Sequence, residues 1–514
     1  MSTLTPSVPS THAATNLEAL IAHLQETALL SSSNNLLDWD QETLMPSGGL
    51  EWRARQQALL ARMVHERTAS LERGDLIAAV EADKQAMSDP ASAALVREAR
   101  RDHSKATKLP ASLVEEMAKT SSLAKHEWAQ ARAASDFKRF APWLEKLVAL
   151  LRVQADCYGF ARDGERWDAL ADLYEPGCTA RAVASVFTPL RPRLQGLVAE
   201  IKAATKRPAD GFNDFFVEVT RQEQLSKFVA ESIGFDFERG RLDRSTHPFC
   251  GGTHCNDVRL TTRYNERCVN DALGSTMHES GHGIYEQGLN ARAIGTPLGE
   301  AVSLGIHESQ SRMWENQVGR SRAFWSWLTP RMLGIIGPDA SRFSADDLYS
   351  AANVVEPGFI RVDADEATYN LHVMVRFEIE RAVIGGSLEV AGIPALWNRL
   401  YKEMLGVDVP DDRRGCLQDI HWSMGAMGYF PTYTLGNLYA SQFFETACAQ
   451  MPGLVDGFAR GEFSGLKRWL NENIHAHGRR YTPAELVQRV TGAPLSAEPL
   501  MRHLEGKLRP LYGI

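Results

Sequence analysis

Residues 276–288 read TMHESGHGIYEQG and place His278 and His282 four positions apart, with Glu279 directly after the first histidine. On an α-helix of about 3.6 residues per turn, both imidazoles leave one face and can hold one zinc ion. Zinc lowers the pKa of its bound water toward ~7, and a neighbouring carboxylate accepts the proton. The stretch therefore predicts a helical metal site for peptide-bond hydrolysis. Glu279 is its expected general base, which then acts as an acid toward the leaving amine.

A catalytic zinc site also needs a third protein ligand and an open fourth position. The extended motif HExxHxxGxxH is not present, because Tyr285 and Gly288 occupy the positions that it would require. The next run with helical periodicity, residues 299–317, reads GEAVSLGIHESQSRMWENQ. It offers four candidate ligands: Glu300, His307, Glu308 and Glu315. Spacing alone does not choose among these four.

Further sequence blocks lie in order around these two stretches. They read HPF at 247–249, DVRLT at 257–261, HESQ at 307–310, IRVDAD at 360–365 and GCLQDIHW at 415–422. With NLLDWDQETLMP near the amino end and GYFPTYTLGNLYASQ near the carboxyl end, they extend over nearly the whole chain. In these blocks the sequence resembles the carboxypeptidase Taq family of metallocarboxypeptidases. The resemblance implies that Glu308 is the third ligand, that the enzyme is a homodimer, and that a long groove separates two halves of the molecule.

A peptidase that works from the carboxyl end must recognise a free carboxylate, which the planar fork of arginine binds in a bidentate manner. The available arginines are Arg259, Arg361, Arg413 and Arg414. We expect Arg361 to be the carboxylate anchor and hold Arg259 in reserve. The alternative for Arg361 is an internal salt bridge to Asp363 or Asp365. His247, in the HPF block, is predicted as a further substrate contact.

Hydrolysis also requires a hydrogen-bond donor for the oxyanion of the tetrahedral intermediate. Residues 421–437 read HWSMGAMGYFPTYTLGN and supply His421, Tyr429 and Tyr433. The segment is similar to the Gly-Tyr-rich segment that related helical zinc peptidases use for this purpose, which indicates Tyr429 first. The alternative is a packed tyrosine whose hydroxyl is satisfied within the protein. We expect Asp419 and His421 to line the same pocket or to brace it, with Tyr433 beside them.

Helical periodicity dominates the rest of the chain. It predicts helices over residues 17–30, 51–72, 91–105, 110–134, 141–161 and 179–204. The alternating pattern of NDVRLTTRY, residues 256–264, predicts a β-strand. We therefore expect a mostly α fold, a large helical zinc-peptidase body with a small β-sheet near the active site and the deep groove that the resemblance implies.

The chain is interpreted as a polar, disordered tail over residues 1–15 followed by one metallocarboxypeptidase catalytic domain over residues 16–514. Within that domain, the amino-terminal helices up to about residue 205 are expected to form a wall over the part that carries the metal. Seven cysteines, an odd number, indicate reduced thiols. Residues 247–255 group two of them with two histidines, but the spacing favours a loop leading into a strand over a second metal site.

A net charge of −8 over 514 residues argues against nucleic-acid binding. The sequence has neither an apolar stretch of about 18 residues nor a signal peptide, so we expect no membrane contact and a cytoplasmic location. The predicted function is a zinc-dependent carboxypeptidase that releases single amino acids, with broad specificity, from peptides with a free carboxyl terminus. Cobalt or manganese can occupy similar ligands. The alternatives are a zinc oligopeptidase, a dipeptidyl carboxypeptidase, or a non-catalytic metal-binding scaffold, against which the retention of Glu279 argues.

Overall fold

The structure is a computed structural model that describes residues 15–514. Helices form most of it, as predicted. Before the sheet they are α1 (Asn16–Thr43), α2 (Leu50–Thr68), α3 (Leu71–Ala82), α4 (Lys84–Ser88), α5 (Pro90–Lys108), α6 (Ala111–Ala134), α7 (Phe137–Tyr158), α8 (Arg166–Ala171), α9 (Ala180–Ala203) and α10 (Val219–Ile233). After it they are α11 (Val269–Gly288), α12 (Leu304–Arg312), α13 (Arg322–Ile336), α14 (Ala345–Ala351), α15 (Tyr369–Gly385), α16 (Ile393–Leu405), α17 (Pro431–Gln450), α18 (Leu454–Phe458), α19 (Ser464–Asn473), α20 (Pro483–Thr491) and α21 (Glu498–Tyr512).

The six helices predicted from periodicity correspond to α1, α2, α5, α6, α7 and α9, and their bounds agree within about four residues except in two cases. The first helix continues past residue 30 to Thr43. The range 51–72 is divided between α2 and α3, because the Ser70 hydroxyl accepts the backbone N–H of Arg73 and begins a new helix. The tail predicted for residues 1–15 lies outside the described residues except for Thr15, which forms a capping box with Glu18 at the start of α1.

The small sheet contains three strands: β1 (Gly240–Arg244), β2 (Cys250–His254) and β3 (Asp257–Thr262). The predicted strand is β3, which lies in the centre, parallel to β1 and antiparallel to β2. The Cys250 stretch, which the sequence predicts to be a loop, is instead β2, one of the two edge strands. Leu260 of β3 is fully buried and packs against Gly283 of α11, so the sheet lies directly beside the helix that carries the two histidines. All seven cysteines are free thiols.

The amino-terminal helices have a small core of their own. Leu20 of α1, Ile77 of α3 and Val96 of α5 belong to a buried cluster that is separate from the main core. The helix α1 also reaches the sheet, because Arg259 stacks 4.5 Å from the ring centroid of Trp39. Within residues 15–514, no helix combines the length and the apolar character needed to cross a lipid bilayer.

Candidate metal centre

The close crossing of α11 and α12 brings the predicted ligands together. A Cβ atom at Gly281 would lie 2.5 Å from the carbonyl oxygen of Gln310 and 2.6 Å from the Cα of Ser311, so only glycine permits this approach. The Ser303 hydroxyl caps α12 by accepting the N–H of Ile306, which fixes where the second helix begins. Side chains one turn from the crossing therefore face each other across the two helices.

His278, His282 and Glu308 meet at this crossing. Glu308 Oε2 lies 3.6 Å from His278 Nε2 and 3.5 Å from His282 Nε2. Two ligands bound at ~2.1 Å to one tetrahedral ion are separated by about 3.4 Å, so these spacings fit a single metal ion. Among residues 15–514, this is the one group of at least three His, Cys, Asp or Glu side chains close enough to bind a metal.

The charge on Glu308 is set by its neighbours. Burial alone would raise the pKa of this carboxyl group, but the Arg312 guanidinium and His278 hold the pKa well below its usual range. Arg312 Nε donates to Glu308 Oε1 at 2.7 Å, which leaves Oε2 toward the two imidazoles. Glu308 is therefore an ionised carboxylate with one oxygen directed at the candidate metal position.

Hydrogen bonds at the far ring nitrogens define the tautomers of both histidines. His278 Nδ1 donates to Glu315 Oε2 at 2.9 Å, because a carboxylate can only accept. His307 Nε2 likewise donates to Glu286 at 2.7 Å, so His307 Nδ1 is the acceptor for the Nδ1 hydrogen of His282 at 2.5 Å. Both Nε2 atoms are thus left with free lone pairs, as metal ligation requires.

Glu279 is buried on the same helix, with 5% of its surface exposed. Burial raises the pKa of its carboxyl group to about 7, and the charge on Glu308 acts in the same direction. A carboxyl group with a pKa near neutrality can both accept and return a proton at physiological pH. Its position beside His278 and its pKa both suit a general base.

A second side of the site is formed by His421, Tyr429, Phe430 and Tyr433, here called the aromatic wall. The Tyr429 ring centroid lies 5.1 Å from that of His421 and 5.4 Å from that of Tyr433. Burial raises the pKa of the Tyr429 hydroxyl, and the charge on Glu308 raises it further, so this hydroxyl is protonated at physiological pH. His421 is neutral at physiological pH, because burial lowers its pKa to about 4.

Behind the aromatic wall, Arg361 is buried in an ionic cluster. Its Nε and Nη2 donate to Asp419 Oδ1 at 3.1 and 2.8 Å, and its Nη1 donates to the Tyr369 hydroxyl at 2.9 Å. Arg376 donates to the other oxygen of Asp419 at 2.7 Å. Two guanidinium groups therefore share one carboxylate, which leaves one positive charge uncompensated within this cluster.

The remaining candidates lie on the sheet side or farther away. Arg259 pairs with Asp257, with its Nε 2.8 Å from Asp257 Oδ1, so its charge is already matched. His247 is exposed in the turn between β1 and β2. Glu300 does not join the histidines, since its carboxylate lies 3.1 Å from Arg479 Nη1.

Sequence reasoning missed the residues that orient the histidines. From the sequence, Glu315 and His307 are only candidate ligands, and Glu286 has no predicted role. Glu286 hydrogen-bonds His307 of the neighbouring helix α12, so no spacing within α11 indicates this contact. Glu315 lies in a π-helical segment, Met313–Gly319, whose wider turns are not visible in periodicity.

Comparisons with known proteins agree over almost the entire chain. A family model described as carboxypeptidase Taq (M32) metallopeptidase matches residues 19–508. Thermostable carboxypeptidase 1 of Thermus thermophilus is 43% identical over 503 residues, which cover 96% of this chain and 98% of that protein. Carboxypeptidase 1 of Bacillus subtilis is 35% identical over 489 residues, which cover 95% and 97%.

Solved structures give the same result. The crystal structure of an M32 carboxypeptidase from Deinococcus radiodurans has a TM-score of 0.94 and 42% identity, and the match covers 98% of this chain and 100% of that one. Trypanosoma cruzi metallocarboxypeptidase 1 has a TM-score of 0.90 and 34% identity, with 96% and 99% covered.

Proposed function

Because this chain belongs to the carboxypeptidase Taq (M32) family of metallopeptidases, we propose that His278, His282 and Glu308 hold its catalytic metal. The protein is a metallocarboxypeptidase, a hydrolase that acts on peptides. The convergence of two imidazole nitrogens and one carboxylate oxygen, with Glu279 beside them, is the observation that carries the assignment. We propose zinc as the native ion, since this donor set suits it, while cobalt or manganese can replace it.

Within this proposal, a metal ion held by His278, His282 and Glu308 would act as a Lewis acid that polarises the scissile carbonyl and makes water more acidic. Glu279 accepts a proton from the attacking water and then donates it to the leaving amine. Burial raises the pKa of its carboxyl group, which is the direction that a general base requires. Glu315 and His307 keep the two histidines in the tautomers that present Nε2 to the metal.

We propose that the Tyr429 hydroxyl donates a hydrogen bond to the oxyanion of the tetrahedral intermediate. The Tyr429 hydroxyl belongs to the aromatic wall and is protonated, because burial and the charge on Glu308 both raise its pKa. His421 and Tyr433 complete that wall, and His421 Nε2 lies 3.3 Å from the Tyr433 hydroxyl. These two residues are proposed to support Tyr429 and to contact the substrate.

We propose that Arg361 binds the terminal carboxylate of the substrate. The support is electrostatic: Arg361 and Arg376 share Asp419, so the cluster has an excess positive charge that a carboxylate neutralises. Asp419 holds the Arg361 fork in position. On the sheet side, Arg259 and His247 are proposed as secondary substrate contacts, and Arg259 ranks after Arg361 because Asp257 already neutralises it.

We also propose that the protein is a cytoplasmic homodimer. Seven free thiols suit a reducing compartment. Large apolar side chains are exposed at the α1–α2 connection, with 63% of Leu44, 55% of Leu50 and 65% of Trp52 accessible. We propose that a second copy of the chain packs against this apolar surface in the dimer. Light scattering is expected to give twice the chain mass of 57.0 kDa, and a mass of 57.0 kDa at working concentration contradicts the dimer.

The central test is the Glu279→Gln variant assayed on a defined peptide by mass spectrometry, with and without added zinc or cobalt. Wild type is expected to shorten the peptide by one residue at a time, whereas loss of dipeptides or internal cleavage would identify a different peptidase. Glu279→Gln should retain its metal and lose roughly 10²- to 10⁴-fold in turnover. Near-normal turnover in a metal-loaded Glu279→Gln protein would exclude Glu279 as the base.

A further inference from the structure

A buried carboxylate on α15, Glu380, lies behind the aromatic wall and has no role in the mechanism above. Its side chain is fully buried. Trp422 Nε1 donates to Glu380 Oε1 at 3.0 Å, while Trp167 Nε1 and the backbone N–H of Gly428 donate to Oε2 at 3.2 and 3.0 Å. All three donors are neutral, and burial raises the pKa of Glu380 to about 7. Burying a carboxylate among neutral donors costs free energy, so a functional reason for Glu380 at this position is expected.

The donors belong to the segment that carries the catalytic aromatic residues. Trp422 directly follows His421, and Gly428 directly precedes Tyr429. Glu380 therefore binds both ends of the short loop between the histidine and the tyrosine. The third donor, Trp167, comes from α8, so the same carboxylate also ties this loop to the amino-terminal half of the chain.

The backbone at Gly428 has no freedom to move toward α8. Its φ of +90° is in the region that favours glycine, and a Cβ atom there would lie 2.6 Å from the backbone nitrogen of Ala171. The loop is thus pressed against α8 on one side and hydrogen-bonded to Glu380 on the other. Tyr429 is additionally held by the ring of Tyr174, whose centroid is 5.1 Å away.

We propose that Glu380 is a positioning residue that fixes the loop between His421 and Tyr429 and thereby sets the place of the Tyr429 hydroxyl at the metal centre. This inference rests on the proposed role of Tyr429 as oxyanion donor. At a pH above its pKa of about 7, Glu380 suits the task because the ionised carboxylate has no hydrogen to donate and accepts all three N–H groups at once. Glutamine would turn its NH₂ group toward at least one of them.

The test is a double-mutant cycle with Glu380→Gln and Tyr429→Phe in the metal-loaded enzyme. A displacement of about 1 Å at a reacting group can cost about 100-fold, so Glu380→Gln is expected to lower kcat by roughly 10- to 100-fold. Bound metal should stay at the wild-type value, because none of the proposed ligands changes, and the loss should fall on kcat more than on KM, because the Tyr429 hydroxyl is proposed to act in the transition state. In the Tyr429→Phe background the same substitution should cost less than about 3-fold, since the hydroxyl that Glu380 positions is already absent.

Glu98→Gln is the matched control, because Glu98 is also a buried carboxylate but pairs with Arg479 on the amino-terminal side, 2.8 Å away. It should lower thermal stability without lowering kcat. If Glu380→Gln is not recovered folded, Trp422→Phe removes a single donor and is judged by the same cycle. A kcat loss of equal factor with and without the Tyr429 hydroxyl, or no loss, overturns the inference. Wild-type kcat in Tyr429→Phe alone instead overturns the proposed donor, and the inference with it.

Discussion

Amidation of the substrate carboxyl terminus tests the buried cluster around Arg361 directly. Only 4% of Arg361 is exposed, and it shares Asp419 with Arg376, so one positive charge is uncompensated there. A carboxylate ~4 Å from that charge gains about 4 kcal/mol at an effective dielectric constant near 20. Desolvation of the carboxylate offsets part of this gain. We therefore expect a net preference of roughly 2–3 kcal/mol, or about 30- to 150-fold, for free over amidated peptides.

The assay compares kcat/KM for one blocked dipeptide in its free and amidated forms. Arg361→Ala should lose most activity on the free peptide and nearly all discrimination. The fold should survive this change, because Asp419 keeps Arg376 as its partner. Arg361→Lys retains the charge but not the planar fork, so it should recover part of the discrimination. Arg414→Ala, which removes the ion pair with Asp411, is the matched control and should discriminate like wild type.

Two results would refute this reasoning. Wild type that cleaves both peptides within about 3-fold of each other would mean that the excess charge does not face the substrate terminus, since a carboxylate within reach must gain more. An Arg361→Ala variant that still discriminates would place the anchor elsewhere, and loss of discrimination in Arg259→Ala would identify that residue.

The other predictions concern the third ligand and the pH dependence of stability. Glu308→Ala should lose its metal on dialysis and Glu300→Ala should retain it, because Glu300 pairs with Arg479; equal metal content in both would mean that the ligand is misassigned. Burial raises the pKa of Glu175 to about 7 from an unfolded value near 4.5, so the folded state binds the extra proton and this group's contribution to stability is lost as pH rises from 4.5 through 7. Glu175→Gln should therefore gain denaturant stability relative to wild type between pH 5 and pH 8, and a difference that does not change with pH contradicts the assignment.

The fold was predictable wherever a helix was long enough to show its period. Helices such as α6 and α9 were identified within a few residues from their apolar spacing. Short helices were not, because a period of 3.6 residues needs about 11 residues to become visible. One of these, α8, has six residues and holds Trp167 against Glu380, so part of the framework behind the site had no sequence signal.

The two histidines and Glu279 were predictable because their geometry is local to one helix. The proposed third ligand was not, since the distance from Glu308 to the histidines depends on how closely α12 crosses α11. That crossing is possible because Gly281 has no side chain. The sequence alone does not show which helix will pack against a glycine within another helix. Only the resemblance of the HESQ block to a known family distinguished Glu308 from the three other candidates.

The partner of Arg361 was also not predictable from the sequence. The sequence suggested an internal salt bridge to a nearby aspartate as the alternative to substrate binding. Proximity in the chain offered Asp363 or Asp365 as its partner, but Asp365 accepts hydrogen bonds from Thr368, and Arg361 binds Asp419, 58 positions away. The internal salt bridge therefore exists, with a different partner. Because that partner also binds a second arginine, the pairing does not neutralise Arg361. An arginine held rigid by an internal carboxylate and still carrying unmatched charge is better prepared to bind a substrate carboxylate than a free one, since less side-chain entropy is lost on binding.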